Sequence, residues 1–431
     1  MTSASGVVLL ACVGLVGCAT LDAGPPDTAY QATLGEVAVV ATEQSPTLGF
    51  DGFAHGKGEG ALTGAGGTFA ACLSGGGGGC SGAGCGAALL LILGICGVAG
   101  LVGGIAGAAE APDANVAAAS EARLAQAVEI RTVQAALRDQ VSAAGLLRGA
   151  RLRNVPPALA REAAATRDYR SFAAFGVDSV VETSLIEAGT RGTGINPPVG
   201  VHLRARVRVL ATADNGERLV ADYLYQGRHR TLAEWAADDG RPLKTELEAG
   251  YRALGEHIYD QVFELLPLPD RRAHSAGGAL STAFGLAPIS PPTRGQLSGE
   301  SVLGDILEWT AVDTLRPTLQ WQAFPRASDV AQAPAEMARV REVSYDLVIA
   351  QEMHRAPERI VYRRQGLPAP EHRLETALKP GTRYFWTIRS RFQLDGRSRL
   401  TEWGSTRALD GDSLVAPSAF AYRFRTTKAA F

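Results

Sequence analysis

Residues Val199 to Ala211 read VGVHLRARVRVLA, and this alternation decides the fold of the middle of the chain. Val201, Leu203, Ala205, Val207 and Val209 fall on one face of a strand, and His202, Arg204, Arg206 and Arg208 on the other. One face must be buried and the other wetted, so the strand belongs to a sheet covered by helices on its apolar side. Asp214-Asn215-Gly216-Glu217 follows, and its Asn-Gly marks a hairpin. Leu219 to Gln226 is expected to return as the partner strand. Gly176 to Leu185 (GVDSVVETSL) and Gly35 to Ala41 (GEVAVVA) are further β-branched runs. The arginine row reads as a solvated sheet face; contact with lipopolysaccharide or peptidoglycan is the alternative it would suit.

The covering helices are legible on both sides of these strands. Ala117 to Leu147 is predicted as one helix starting at Ser120 and Glu121, with Ile130, Val133, Leu137, Val141 and Ala144 as its packing stripe. Ala158 to Ala165 predicts a short helix, and Tyr169 to Phe175 a further turn. Leu232 to Asp238 is a short helix. Pro242 to Leu266 is a long one, with Leu247, Tyr251, Leu254, Ile258 and Val262 in line. Together these elements predict an α/β sandwich over residues 35–268. The order of elements and the phrase GVDSVVETSL resemble the periplasmic α/β domain at the front of TolB and in curli-secretion lipoproteins. The resemblance implies an envelope protein and carries no catalytic signature.

Upstream, Val7 to Val16 is an apolar run too short to span a bilayer as a helix. It ends in Leu15-Val16-Gly17-Cys18, which resembles the bacterial lipobox. That resemblance implies cleavage before Cys18 and lipidation of its thiol. With Ala19 rather than Asp behind the cysteine, it implies an outer-membrane lipoprotein facing the periplasm. The n-region MTSASG lacks the Lys or Arg of an ordinary signal peptide, so a wrong start, an uncleaved anchor or a chance match stay open. Residues 1–18 are thus expected as a signal peptide, and 19–34 as a polar tether with Pro-Pro.

Between the first strand and the first long helix lies a Gly-rich insertion, residues 56–109, with no charge between Glu59 and Glu110. Gly56, Gly60 and Gly64 repeat every four residues, as do Gly100 with Gly104 and Gly103 with Gly107, a spacing that lets helix backbones approach closely. The pattern resembles the glycine-zipper hairpins of some outer-membrane lipoproteins. Residues 86–109 are long and apolar enough to cross a bilayer. LSGGGGGCSGAGCG between the halves cannot be helical, because Gly is unfavourable by roughly 1 kcal/mol per residue. Two readings stay open: a membrane-associated hairpin, or a disordered insertion with one buried helix at Ala87 to Ala108. Cys72, Cys80, Cys85 and Cys96 lie here, spaced unlike any common zinc pattern. A disulfide, for instance Cys72 or Cys80 with Cys85, is expected of an exported protein; free thiols and a metal are the alternatives.

After a Ser/Gly/Pro-rich linker at 269–305, the pattern becomes β. Leu319 with Trp321, then Val343 to Gln351, Arg359 to Arg363, Tyr384 to Phe392 and Ala419 to Thr427, are the expected strands of a sandwich over 306–431. Leu378-Lys379-Pro380-Gly381-Thr382-Arg383-Tyr384 resembles the approach to strand F of fibronectin type III modules. Trp321 resembles that family's strand-B tryptophan, and Glu402-Trp403-Gly404-Ser405 its Trp-Ser element. The resemblance implies a binding or spacer module. The expected class is therefore α+β: an α/β sandwich carrying an inserted Gly-rich membrane hairpin, followed by an antiparallel, fibronectin type III-like β-sandwich.

The sequence predicts no catalytic, cofactor or metal site. The seven histidines (His55, His202, His229, His257, His274, His354 and His372) form no HExxH or i,i+4 pair, and neither GxSxG nor a Walker loop occurs. Asp238-Asp239 and Glu246 with Glu248 read as solvating a loop and a helix start. A formal net charge of −2 in 431 residues argues against a nucleic-acid partner. The expected function is a non-enzymatic lipid-anchored envelope protein that holds membrane lipid through Cys18 and residues 86–109 and binds protein partners. The alternative is a subunit of a homo-oligomeric, pore-like secretion assembly built from the Gly-rich hairpins.

Overall fold

A computed structural model describes residues 29–50, 114–128, 130–192, 197–266, 285–292, 309–353, 356–405, 413–414 and 422–428. Cys18, the seven zipper glycines and Cys72, Cys80, Cys85 and Cys96 all lie outside them. Among the described residues, no helix is long and apolar enough to cross a membrane.

The fold mixes helices and sheets. In the first sheet, β1 (Val37–Ala41) and β2 (Thr47–Phe50) run end to end, parallel to β3 (Ser179–Arg191). The antiparallel β4 (Val199–Ala211) and β5 (Glu217–Arg230) follow, and β14 (Ser413–Leu414) pairs in parallel with β5. The β4 reading holds residue for residue: its five apolar side chains are buried in one core. The hairpin also holds, with Asn215 in the left-handed region at φ 55° and Asp214 accepting from the Gly216 amide at 2.8 Å. Both flanking strands are longer than expected, because cross-strand pairing extends runs whose sequence pattern has faded.

Helices α1 (Ala114–Ala127), α2 (Ile130–Leu147) and α4 (Leu232–Tyr259) cover the apolar face; α3 (Pro157–Thr166) packs Ala163 and Ala164 on the other face with Tyr169 and Phe172. The single helix expected at Ala117 to Leu147 is two. Val128 is buried at the break, and Ser120 is buried inside α1 rather than capping it. Splitting the run lets Leu124 and Val128 reach the same core as Val133, Leu137 and Val141. The expected break after Asp238 is present: Ala237 to Gly240 leave helical geometry, with Asp238 and Asp239 left-handed. Where α2 meets α4, Gly255 allows the approach; a β-carbon there would lie 2.6 Å from Gln140 Cβ.

Helix α4 continues into a π-turn at Asp260–Glu264 and leads to the second half of the chain. There the order is β10 (Ala356–Leu367), β9 (Val340–Met353), β12 (Arg383–Leu394), β15 (Tyr422–Thr426) and β7 (Thr310–Val312), with β13 (Arg397–Leu400) also on β12. A smaller sheet, β11 (Glu371–Arg373), β8 (Thr318–Trp321) and β6 (Pro288–Ser290), shares its core through Leu319 and Trp321.

Three expectations are corrected here. Pro288–Ser290 lies in a region read as linker but pairs with β8, because its Pro-rich sequence still fits an edge strand. The sheet is not wholly antiparallel, since β7 runs parallel to β15. Two short helices, α5 (Ala327–Gln332) and α6 (Pro334–Met337), interrupt the β pattern. The Tyr384 hydroxyl accepts from the Lys379 amide at 2.9 Å, five residues upstream.

Candidate functional site

Strand β12 is buried on both faces, and that is unusual for a two-sheet unit with one core. Tyr384, Trp386, Ile388 and Phe392 point into the shared core. Phe385, Thr387, Arg389 and Arg391 point away from it, and the first three are nevertheless buried. Trp309 stacks edge-on over Phe385, with ring centroids 5.2 Å apart. The Thr387 hydroxyl donates to the Gly404 carbonyl at 2.7 Å. Over Arg389 and Arg391 lies the π-turn of the preceding α/β unit.

This seam contains three guanidiniums and three carboxylates. Arg389 is fully buried and donates through Nε to Asp346 on β9 at 3.0 Å, and through its terminal nitrogen to Asp260 on the π-turn. Arg391 reaches Asp346 and Glu264, each at 3.3 Å. Arg148, just past α2, pairs with Asp260 and, at 3.4 Å, Glu264. Its guanidinium lies over the Tyr259 ring, 5.0 Å from the centroid. Trp403 closes the set, with the Arg389 guanidinium 4.3 Å from its ring centroid. Backbone pairing extends the junction: the Leu266 amide donates to the Leu400 carbonyl at 2.8 Å.

Asp260 and Glu264, four residues apart, both reach the seam. Asp260 and Glu264 share one face, and the Leu265 amide donates back to the Asp260 carbonyl at 2.8 Å. Burial alone would raise the Asp260 carboxyl, but Arg389 and Arg148 outweigh it and hold that carboxyl below the usual range. His257, one turn earlier and fully buried, is driven down to about 4 by burial, with Arg389 adding and Asp260 opposing. It packs edge-on against Tyr223 at 5.7 Å. A small cavity of about 50 Å³, room for a few waters, opens here beside His257, Asp260, Arg389 and Trp403.

The arginine row on β4 fares differently. Arg204 and Arg206 both pair with Asp222 on β5, at 2.5 and 2.7 Å. Arg208 pairs with Glu217 at 2.6 Å and Glu182 at 3.1 Å. Burial would raise Asp222, and Arg206 and Arg204 reverse the sign. Burial pushes the Tyr169 phenol up, and its donation to Glu182 at 2.5 Å adds to the shift. The row is thus paired with carboxylates of its own sheet.

The remaining candidates are dispersed. Glu246 does not solvate a helix start: it is buried and accepts from the Tyr225 hydroxyl at 2.8 Å and the Arg228 amide at 3.0 Å. Asp238 pairs with exposed Arg241. Among the described residues, no group of three or more His, Cys, Asp or Glu could hold a metal ion. A larger open cavity, about 1030 Å³, lies between α2, α3 and β1. One anchor of that region was not among the residues singled out in the sequence. Gln134 on α2 accepts from the Leu185 amide at 2.7 Å, donates to its carbonyl at 2.9 Å, and also donates to the Gln44 carbonyl. A polar residue inside an apolar helical stripe was the only hint.

No protein-family model and no curated protein sequence matches this chain. Among solved structures, it is similar to lipoprotein GNA1162 from Neisseria meningitidis, at 15% identity, covering 27% of this chain and 83% of that one, with a TM-score of 0.19. It is likewise similar to the hypothetical protein CT253 from Chlamydia trachomatis, at 16% identity, covering 30% of this chain and 84% of that one, with a TM-score of 0.22.

Proposed function

We propose that this chain is a non-enzymatic, lipid-anchored protein of the bacterial cell envelope. Cys18 holds it to the outer membrane, and its α/β unit and fibronectin type III-like module face the periplasm as a scaffold or binding surface. The observation that carries the reading is the buried seam. Its six charges are used on one another, across elements from residue 148 to residue 391, so they couple the two units instead of addressing a substrate. A spacer that must present surfaces at fixed geometry needs such a joint. The fibronectin-like reading is supported by the Tyr384 hydroxyl on Lys379, by the buried Trp321 and by Trp403 stacked on Arg389.

Labelled palmitate should appear on the intact chain and be lost in Cys18→Ala. Its absence from the unmodified chain overturns the anchoring. The detergent-extracted protein is expected as a monomer or dimer; a discrete large ring would favour the pore-like assembly instead.

A further inference from the structure

We propose that the outer edge of β1 is a strand-addition site for an extended, acidic segment of a protein partner. The inference rests on the scaffold reading and gives it a docking point. Strand β1 ends its sheet, with β3 as its neighbour. Its inward groups face β3: the Val40 carbonyl accepts from the Thr183 hydroxyl, and the Thr42 amide donates to the Thr183 carbonyl. Its outward groups belong to the alternate residues. The Val37 amide donates to Arg151 at 2.9 Å, and the Val37 carbonyl accepts from Arg153 at 2.8 Å. The chain thus lays Leu152 in parallel on this edge, and then turns off through Asn154 and Val155 into Pro156-Pro157.

Period two places the N–H and C=O of Val39 and Ala41 on the same outer side, beyond the point where Leu152 leaves. Among the described residues, no strand pairs with them there. The usual devices that blunt an edge are missing from VAVVA, which has no Lys, Pro or charge. Instead the edge is recessed, and the cavity of about 1030 Å³ runs along it from Ala38 to Ser45. Ala135 and Ser142 on one wall, and Pro157 and Ala160 on the other, leave room for the alternating side chains of an added strand.

The walls also choose the occupant. A lipid chain cannot satisfy alternating backbone donors and acceptors; another backbone can. A second copy could not bring its own β1 here, since that strand is equally recessed behind its own α2 and α3. Among the lining arginines, Arg153 is held by Glu36 at 3.0 Å and Arg138 by its neighbour Asp139 at 2.6 Å. Arg161 on α3 and Glu43 just past β1 each lack an oppositely charged partner among the described residues, so a carboxylate opposite Arg161 is what the incoming segment adds on the α3 wall.

The test is a selection of displayed random nine-residue peptides on the full chain in detergent. Recovered peptides should alternate apolar residues and carry Asp or Glu. Binding should fall at least tenfold in Ala41→Pro but not in Ala41→Gly, because proline removes only an outward N–H and leaves the β3 ladder intact. Arg161→Glu should shift the preference to Lys or Arg, and keeps the test alive if Ala41→Pro misfolds. Bound peptide should slow amide exchange over residues 37–45. Binding unaffected by both variants, protection elsewhere, or no binder while the chain self-associates through this edge would each overturn the proposal. Palmitate labelling at Cys18 reports on the anchored reading independently.

Discussion

Two strands in this molecule carry arginines at alternate positions, and they meet opposite fates. On β4, Arg204 and Arg206 face an open sheet surface, the Arg206 side chain being 47% exposed, while Arg208 is 21% exposed. On β12, Arg389 and Arg391 alternate in the same way, yet the Arg389 side chain is 5% exposed. Each row is neutralised by carboxylates, so pairing is not the difference. What differs is what lies above. A sheet face left to water keeps its ion pairs at high dielectric, where each is worth little. A face covered by a helix end takes the same chemistry into a dry place, where losing one partner strands the others. The energetic meaning of an Arg-x-Arg pattern is set by the element that covers it.

Breaking β12 should therefore cost far more than breaking β4. Arg389→Ala leaves Asp260 and Asp346 buried without their shared cation, and the chain should lose about 3–5 kcal/mol in chemical denaturation. A loss under about 1 kcal/mol would show the seam to be wetter than its burial implies. Acid should open the same place. The folded pKa of His257, about 4, is depressed below the ordinary value near 6.5, so the unfolded chain binds a proton first as pH falls. Stability should decline between about pH 6.5 and 4, by up to roughly 3 kcal/mol from this group. Asp260, also depressed, contributes stability above the carboxylate range that is lost on further acidification. Melts of His257→Gln against pH should lack the first decline; an unchanged profile would move its origin elsewhere.

A double-mutant cycle sharpens the contrast. Coupling between Arg389 and Asp260 should reach about 2–3 kcal/mol, and coupling between Arg206 and Asp222 should stay under about 1 kcal/mol. The smallest effect is expected for Arg206→Ala alone, within about 1 kcal/mol and shrinking further in high salt. A larger loss there would mean that something covers the β4 face.

The contrast also marks how far the sequence could be read. The β4 strand was legible to the residue, because period two is local and both its faces follow one rule. The break after Asp238 was legible, since one helix was expected to end there and the next to start at Pro242. The burial of Arg389 was not. Its partner Asp260 lies 129 positions away, and no periodicity links a helix end to a strand face at that range. For the same reason Glu246 read as solvated, when its surroundings come from β5. Strand β6 was hidden by composition, since prolines that mark a linker also suit a sheet edge.

The π-turn at Asp260–Glu264 gives the joint between the two units a phase. Each residue of a helix advances the chain by about 100° of rotation, so the wider turn sets the angle at which Leu265 and Leu266 arrive at Leu400. Deleting Tyr259, the last residue of α4 before it, would leave the turn itself intact. Everything after it would arrive rotated by about that angle, pointing away from β13. The loop at Asp214 to Gly216 could change length with only local consequences. Between Tyr259 and Leu266 the count of residues is itself the structural information, as the count of teeth is in a gear.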